Sequence, residues 1–130
     1  MIIGLGCDIV NIERIKQTAD FLQHFQNKIL GAEELQELKQ KKFTDERTLA
    51  CTLAKYYAGK EAFAKALGTG FIEGIFLRDI QILHDTLGKP QLKISGAAKK
   101  HLHKLTAHAK LHISLSDDYP TAQAVVIIEQ

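Results

Sequence analysis

A chain of 130 residues with 45% hydrophobic and 25% charged side chains has an ordinary globular composition, and at that length folding buries roughly two-thirds of the surface the unfolded form exposes. This mixture excludes disorder, a collagen-like repeat and a disulfide scaffold; the two cysteines, Cys7 and Cys51, give neither a disulfide framework nor a paired metal spacing. A net charge of +2 is too weak to argue for nucleic-acid binding, no apolar run approaches the roughly 20 residues of a membrane span, and the start MIIGLGCDIV lacks a positive leader and meets Asp8 early. The expectation is one soluble domain over residues 1–130, in the reducing cytoplasm.

The elements follow in chain order. Residues 2–7 read as a short apolar strand punctuated by Gly4 and Gly6. Asn11 is a fair N-cap, and Ile12, Ile15, Leu22 and Phe25 recur near a spacing of 3.6, predicting a helix over roughly 12–27. Leu35 and Leu38, with Glu33 and Glu34 at the positive end, predict a short helix around 32–40. The longest helix is expected over 45–67, capped by Thr44, striped by Leu49, Leu53, Tyr56, Phe63 and Leu67, and closed by Gly68. Gly59 inside it points either to close approach of something to the helix or to a packing contact. Residues 75–84 and 91–95 read as two strands around a turn at 85–90. A helix over about 97–107 turns Ala98, Leu102 and Leu105 inward. Leu111, Ile113 and Leu115 alternate with His112, Ser114 and Ser116 as in a half-buried strand; Asp117 to Pro120 is a turn; and AQAVVII, apolar on both faces, reads as a central strand in an antiparallel hairpin with 111–116. The fold class is α+β, a small antiparallel sheet packed with a long central helix.

No phosphate-binding fingerprint is present. Gly4-Leu5-Gly6 lacks the third glycine and the immediate helix, and Gly68-Thr69-Gly70 follows a helix, the place of a C-cap. Cys7 in an apolar strand reads as a small core side chain, and no nucleophile elbow exists. Lys99 to Lys104, with His101 and His103 on different faces, reads as a solvated basic surface; it contains no aromatic for base stacking, so an RNA-binding reading ranks last.

Two carboxylates carry the chemistry. Asp8 ends the first strand, where it either caps the following helix or faces a cleft at the sheet edge. Glu61 stands four residues before Lys65, a favourable surface pair on its own. The alternative is that Asp8 and Glu61 converge on one Mg²⁺, which is commonly held by one or two carboxylates plus substrate phosphates, with neighbouring lysines serving a diphosphate. A non-catalytic nucleotide-binding module would need the phosphate-binding lysines but not both carboxylates, so having both favours an enzyme.

These residues also carry a resemblance. GLGCDIVNIERI at 4–15 looks like the opening of the holo-[acyl-carrier-protein] synthases, and KEAFAKALGTG at 60–70 like their central motif. The GKP turn at 88–90, and HISLS followed by a strand ending VIIE, fit in the same order over nearly the whole chain. The resemblance implies a 4′-phosphopantetheinyl transferase of that family's fold, moving phosphopantetheine from coenzyme A to a serine of the acyl carrier protein in support of fatty acid biosynthesis. It implies homotrimers with active sites at subunit junctions. By motif match, Asp8 and Glu61 would hold Mg²⁺ and Lys65 would contact coenzyme A phosphates with Lys60 nearby. Gly68, Thr69, Gly70 and Pro90 would shape the cofactor pocket, and Arg14, Phe25 and Lys28 would face the acidic carrier protein. Two positions depart from the pattern: Tyr56 stands where the family often has Arg, and Asp117 where many members have His. Neither touches Asp8 or Glu61.

Overall fold

A computed structural model describes residues 1–72 and 74–130. Three strands, β1 (Ile2–Asn11), β4 (Lys110–Asp118) and β5 (Thr121–Glu129), form an antiparallel sheet in the order β1-β5-β4. The segment expected to be central is therefore the middle strand. A separate antiparallel hairpin joins β2 (Ile80–His84) to β3 (Pro90–Ile94). Four helices complete the chain: α1 (Ala19–Ile29), α2 (Ala32–Lys39), α3 (Glu46–Leu67) and α4 (Gly96–Leu105).

The period of two along β5 explains how α3 finds the sheet. Ala122, Ala124, Val126 and Ile128 are all at most 1% exposed and share one face. On β1 the matching positions are Gly4 and Gly6, paired with Ile128 and Val126. A Cβ on Gly6 would stand 1.8 Å from the backbone oxygen of Ala62, and one on Gly4 2.3 Å from that of Ala66. Ala58, Ala62 and Ala66, one turn apart, share the buried cluster with Ala124, Val126 and Ile128. Small residues on both surfaces thus bring helix and strand backbones together at the end of β1 that leads to Asp8. Gly59 is a packing contact: a Cβ there would meet the side-chain ends of Ile82, Ile113 and Leu115.

Several boundaries differ from expectation. β1 runs past Asp8 to Asn11, because β5 supplies ladder partners throughout, with Asp8 opposite Ala124 and Asn11 opposite Thr121. Asp8 is thus a mid-strand residue and caps no helix. Asn11 caps only a 3₁₀ turn at Ile12–Arg14, whose first amide bonds Pro120 O at 2.7 Å. The helix proper starts later, where the Thr18 side chain accepts from the Phe21 amide. Asp45, not Thr44, caps α3: its Oδ1 accepts both the Thr48 amide and hydroxyl at 2.8 and 2.9 Å. Residues 77–79 form a 3₁₀ turn, so β2 begins only at Ile80. Leu105, expected inward, ends α4 at 41% exposure.

The outer face of the sheet is uncovered within one chain. Leu5 and Ile9 are 65% and 68% exposed, beside half-buried Val125 and Ile127. No helix among the described residues is long and apolar enough to cross a membrane.

Candidate active site

The close seam between β1 and α3 sets up the site. With Gly4 lodged against Ala66 and Gly6 against Ala62, the next inward-facing residue of β1, Asp8, comes beside the preceding turn of the helix, with Tyr57 and Glu61. Its Oδ1 accepts from Lys65 Nζ at 3.0 Å, and the same ammonium donates to Cys7 O at 3.0 Å. Lys65 therefore pairs across the sheet with Asp8 rather than along its own helix with Glu61. The hydrogen bond and charge of Asp8, with a smaller contribution from Glu61, raise the Lys65 pKa and keep it cationic.

Glu61 stands where two open hollows meet. One, of about 430 Å³, is bordered by Asp8, Arg14, Phe25, Tyr57 and Glu61. The other, of about 460 Å³, is bordered by Glu61, Lys28, Phe71, Phe76, Leu77 and Arg78. The first is polar and carries Asp8, the second largely apolar. Between them runs α1, giving Phe25 to the first and Lys28 to the second, while Arg14 enters the first from the 3₁₀ turn. Phe25 tilts against Tyr57 at 5.4 Å and stacks on Phe21 at 6.3 Å.

Tyr57 was missed by sequence reading, although its place four residues before Glu61 puts it on the same helix face. Burial first, then the negative charge of Glu61 and Asp8, pushes its pKa up to about 12. The phenol stays protonated beside the two carboxylates.

The donor chemistry fits Mg²⁺. Two carboxylates, Asp8 and Glu61, border one hollow. Such a pair leaves coordination positions for water and phosphate oxygens, the usual arrangement for this ion.

Lys60 must be removed from the expected cofactor contacts. It is fully buried, and its ammonium donates to Glu34 Oε1 at 2.6 Å, Leu77 O at 3.1 Å and Ile80 O at 2.5 Å. All three donors are occupied. Gly68 and Gly70, at φ 79° and 63°, turn the chain out of α3; a Cβ on either would meet nothing within 4 Å. Thr69 Oγ1 donates to Gly70 O at 3.0 Å. Pro90 borders a different hollow of about 180 Å³, with Lys41, Lys55, Tyr56 and His84, so one chain does not bring it to Asp8. Of the two departures, Tyr56 is buried and lies against His84, its proton held by desolvation, and Asp117 pairs with Lys55 at 3.3 Å. The basic run on α4 is mostly exposed, as a solvated face should be.

Comparison with known proteins adds a second line. Residues 4–124 match the model of the 4′-phosphopantetheinyl transferase superfamily. Over 133 residues the chain is 44% identical to the holo-[acyl-carrier-protein] synthase of Erythrobacter litoralis, covering 99% of this chain and 97% of that one. The crystal structure of the holo-[acyl-carrier-protein] synthase from Neisseria meningitidis is similar over 100% of both chains, with TM-score 0.82 and 40% identity. A holo-(acyl-carrier-protein) synthase from Bacillus anthracis, in complex with CoA (3′,5′-ADP), is similar over 98% of this chain and 96% of that one, with TM-score 0.77 and 32% identity.

Proposed function

From the premise that this chain belongs to the 4′-phosphopantetheinyl transferase superfamily, we propose that it is a single-domain holo-[acyl-carrier-protein] synthase whose active site is the Asp8–Glu61 hollow with Lys65 beside it. The reaction moves 4′-phosphopantetheine from coenzyme A to a serine of the apo acyl carrier protein and leaves adenosine 3′,5′-bisphosphate. One observation carries the site: Asp8 and Glu61, distant along the chain, border the same hollow, with Lys65 bonded to the first and one turn from the second.

The reaction breaks a P–O bond of the diphosphate and forms one to the serine oxygen. Charge gathers on phosphoryl oxygens, so catalysis is largely positioning and neutralisation. Asp8 and Glu61 would hold Mg²⁺, which supplies polarisation of the diphosphate. Lys65 lies over Asp8 as a cation for the departing bisphosphate. Glu61, at the junction of the two hollows, assists loss of the serine proton, directly or through a water. Gly68, Thr69 and Gly70 keep the surface after Lys65 open to coenzyme A. Arg14, Phe25 and Lys28 on and beside α1 face the carrier protein, whose acidic surface they steer.

Assembly belongs to the same reading. Leu5, Ile9, Val125 and Ile127 form an apolar surface that a neighbouring copy in a homotrimer would cover, and Pro90 would join the site across such a junction. The working compartment is the cytoplasm and the product serves fatty acid biosynthesis. The test is to incubate the chain with apo carrier protein, coenzyme A and Mg²⁺ and to weigh the carrier by mass spectrometry. Addition of phosphopantetheine is expected; an unmodified carrier after long incubation would refute the proposal.

A further inference from the structure

We propose that the apolar hollow on the far side of Glu61 is a second seat for the acyl carrier protein, with Phe76 and Arg78 as specificity-determining contacts beyond α1. This rests on the reading of Glu61 as the transfer site. The occupant is an apolar side chain of the carrier set between carboxylates.

Four observations lead there. The hollow is walled by Phe71, Ile75, Phe76 and Leu77, and Phe76 is 62% exposed, with Ile72 nearby in sequence at 43%. A bulky aromatic held so far out of the core marks a surface made for contact. Apart from Glu61, the charged groups around the hollow are cations: Lys28 and Arg78 are both exposed, and neither has a salt-bridge partner among the described residues. The surface is also continuous with the carrier-facing side of α1, because α1 packs beside the Leu77–Asp79 turn. Finally, Glu61 belongs to both hollows, so any protein that delivers a serine to Glu61 must seat itself around that junction.

The competing occupant is the pantetheine arm of coenzyme A. Charge decides against it. That arm is uncharged and gains nothing from Lys28 and Arg78, and Lys65 serves the diphosphate from the Asp8 side of Glu61. An acidic protein surface uses both rim cations, and its apolar side chain uses the floor.

The experiment uses the full chain with Arg78→Glu, Phe76→Ser and the double variant, each first checked for an unchanged melting temperature. Steady-state transfer is measured twice, varying apo carrier protein at saturating coenzyme A and varying coenzyme A at saturating carrier. Arg78→Glu is expected to lower kcat/KM for the carrier about tenfold at low salt, with the loss shrinking as salt screens the rim. Phe76→Ser is expected to lower it roughly threefold to tenfold with little salt dependence. The KM for coenzyme A should stay within about twofold, against a tenfold loss read as one decade of binding. A raised KM for coenzyme A with an unchanged carrier KM would overturn the proposal in favour of the pantetheine arm. Unchanged values for both substrates would overturn it as well. Failure of the unsubstituted chain to load the carrier would instead strike the reading of the site itself.

Discussion

Two lysine–carboxylate pairs hang from the same helix, five residues apart, and they do opposite work. Lys60 and Glu34 meet at 2.6 Å with both side chains 0% exposed; Lys65 and Asp8 meet at 3.0 Å with side chains 54% and 17% exposed. Burial drives the Glu34 pKa up and the Lys60 pKa down, while each partner pulls the other back. Attraction alone does not sustain such a pair. It persists because Glu34 also accepts the amides of Gly31 and Ile82, each at 2.9 Å, and Lys60 also donates to two carbonyls. The pair braces α2, β2 and the 77–79 turn against α3, with all three ammonium protons taken. The outer pair keeps its exposed ammonium available to a ligand. The same two functional groups become a brace or a tool according to how much water reaches them.

The sharpest way to break this contrast is to remove one partner of each. Glu34→Ala strands a buried ammonium and should cost about 3–5 kcal/mol in urea unfolding, a large share of a domain's usual stability of roughly 5–15 kcal/mol. Glu61→Gln should leave the urea midpoint in place while transfer, assayed on the carrier, falls by about 10²-fold or more. Turnover near that of the unsubstituted chain would remove Glu61 from the reaction. Gly6→Ala tests the seam that presents Asp8: its Cβ overlaps Ala62 O, and overpacking of this kind costs about 1–3 kcal/mol. Activity should drop with it while the Lys60–Glu34 brace survives. Asp8→Asn should move stability by less than about 1 kcal/mol, because its partner is solvated, yet lower activity; a large stability loss would make the outer pair a second brace.

The smallest effect is read in alkali. The chain has three tyrosines and no tryptophan, and all three hydroxyls are pushed above their ordinary value of 10. Tyr57, held to about 12, contributes stability that is complete below pH 10 and is lost as pH rises from 10 through 12. The share of tyrosinate absorbance that belongs to Tyr56 and Tyr57 should therefore be missing near pH 10 in the native chain and appear after unfolding in guanidinium. A native step near 10 as large as that of the unfolded chain would mean that these two hydroxyls are less shielded than the structure places them.

Periodicity alone revealed much of the architecture. The alternation in β4, the two-sided apolar run of β5 and the long stripe of α3 are local signals, and each became the expected element. Asp8 was harder. Asn11 with Ile12 and Ile15 imitates a helix start, and only the ladder from β5, more than a hundred residues away in sequence, extends the strand and turns Asp8 toward α3. Lys60 was misplaced for a related reason. In KEAFAK a lysine beside the key glutamate looks like a phosphate contact, but its fate is settled by Glu34, 26 residues earlier. Glu61 and Lys65 were legible through motif resemblance, whereas Tyr57 needed only the i,i+4 rule.

The packing of β1 has a consequence for how sequence variation at this end of the molecule should read. Gly4, Gly6 and Asp8 point at the helix; Leu5, Cys7 and Ile9 point away from it. Saturation mutagenesis across this stretch should give a comb: Gly4 and Gly6 tolerate almost nothing because the helix backbone leaves no room for a Cβ, Asp8 tolerates change in the fold but not in activity, and the odd positions spare the protomer.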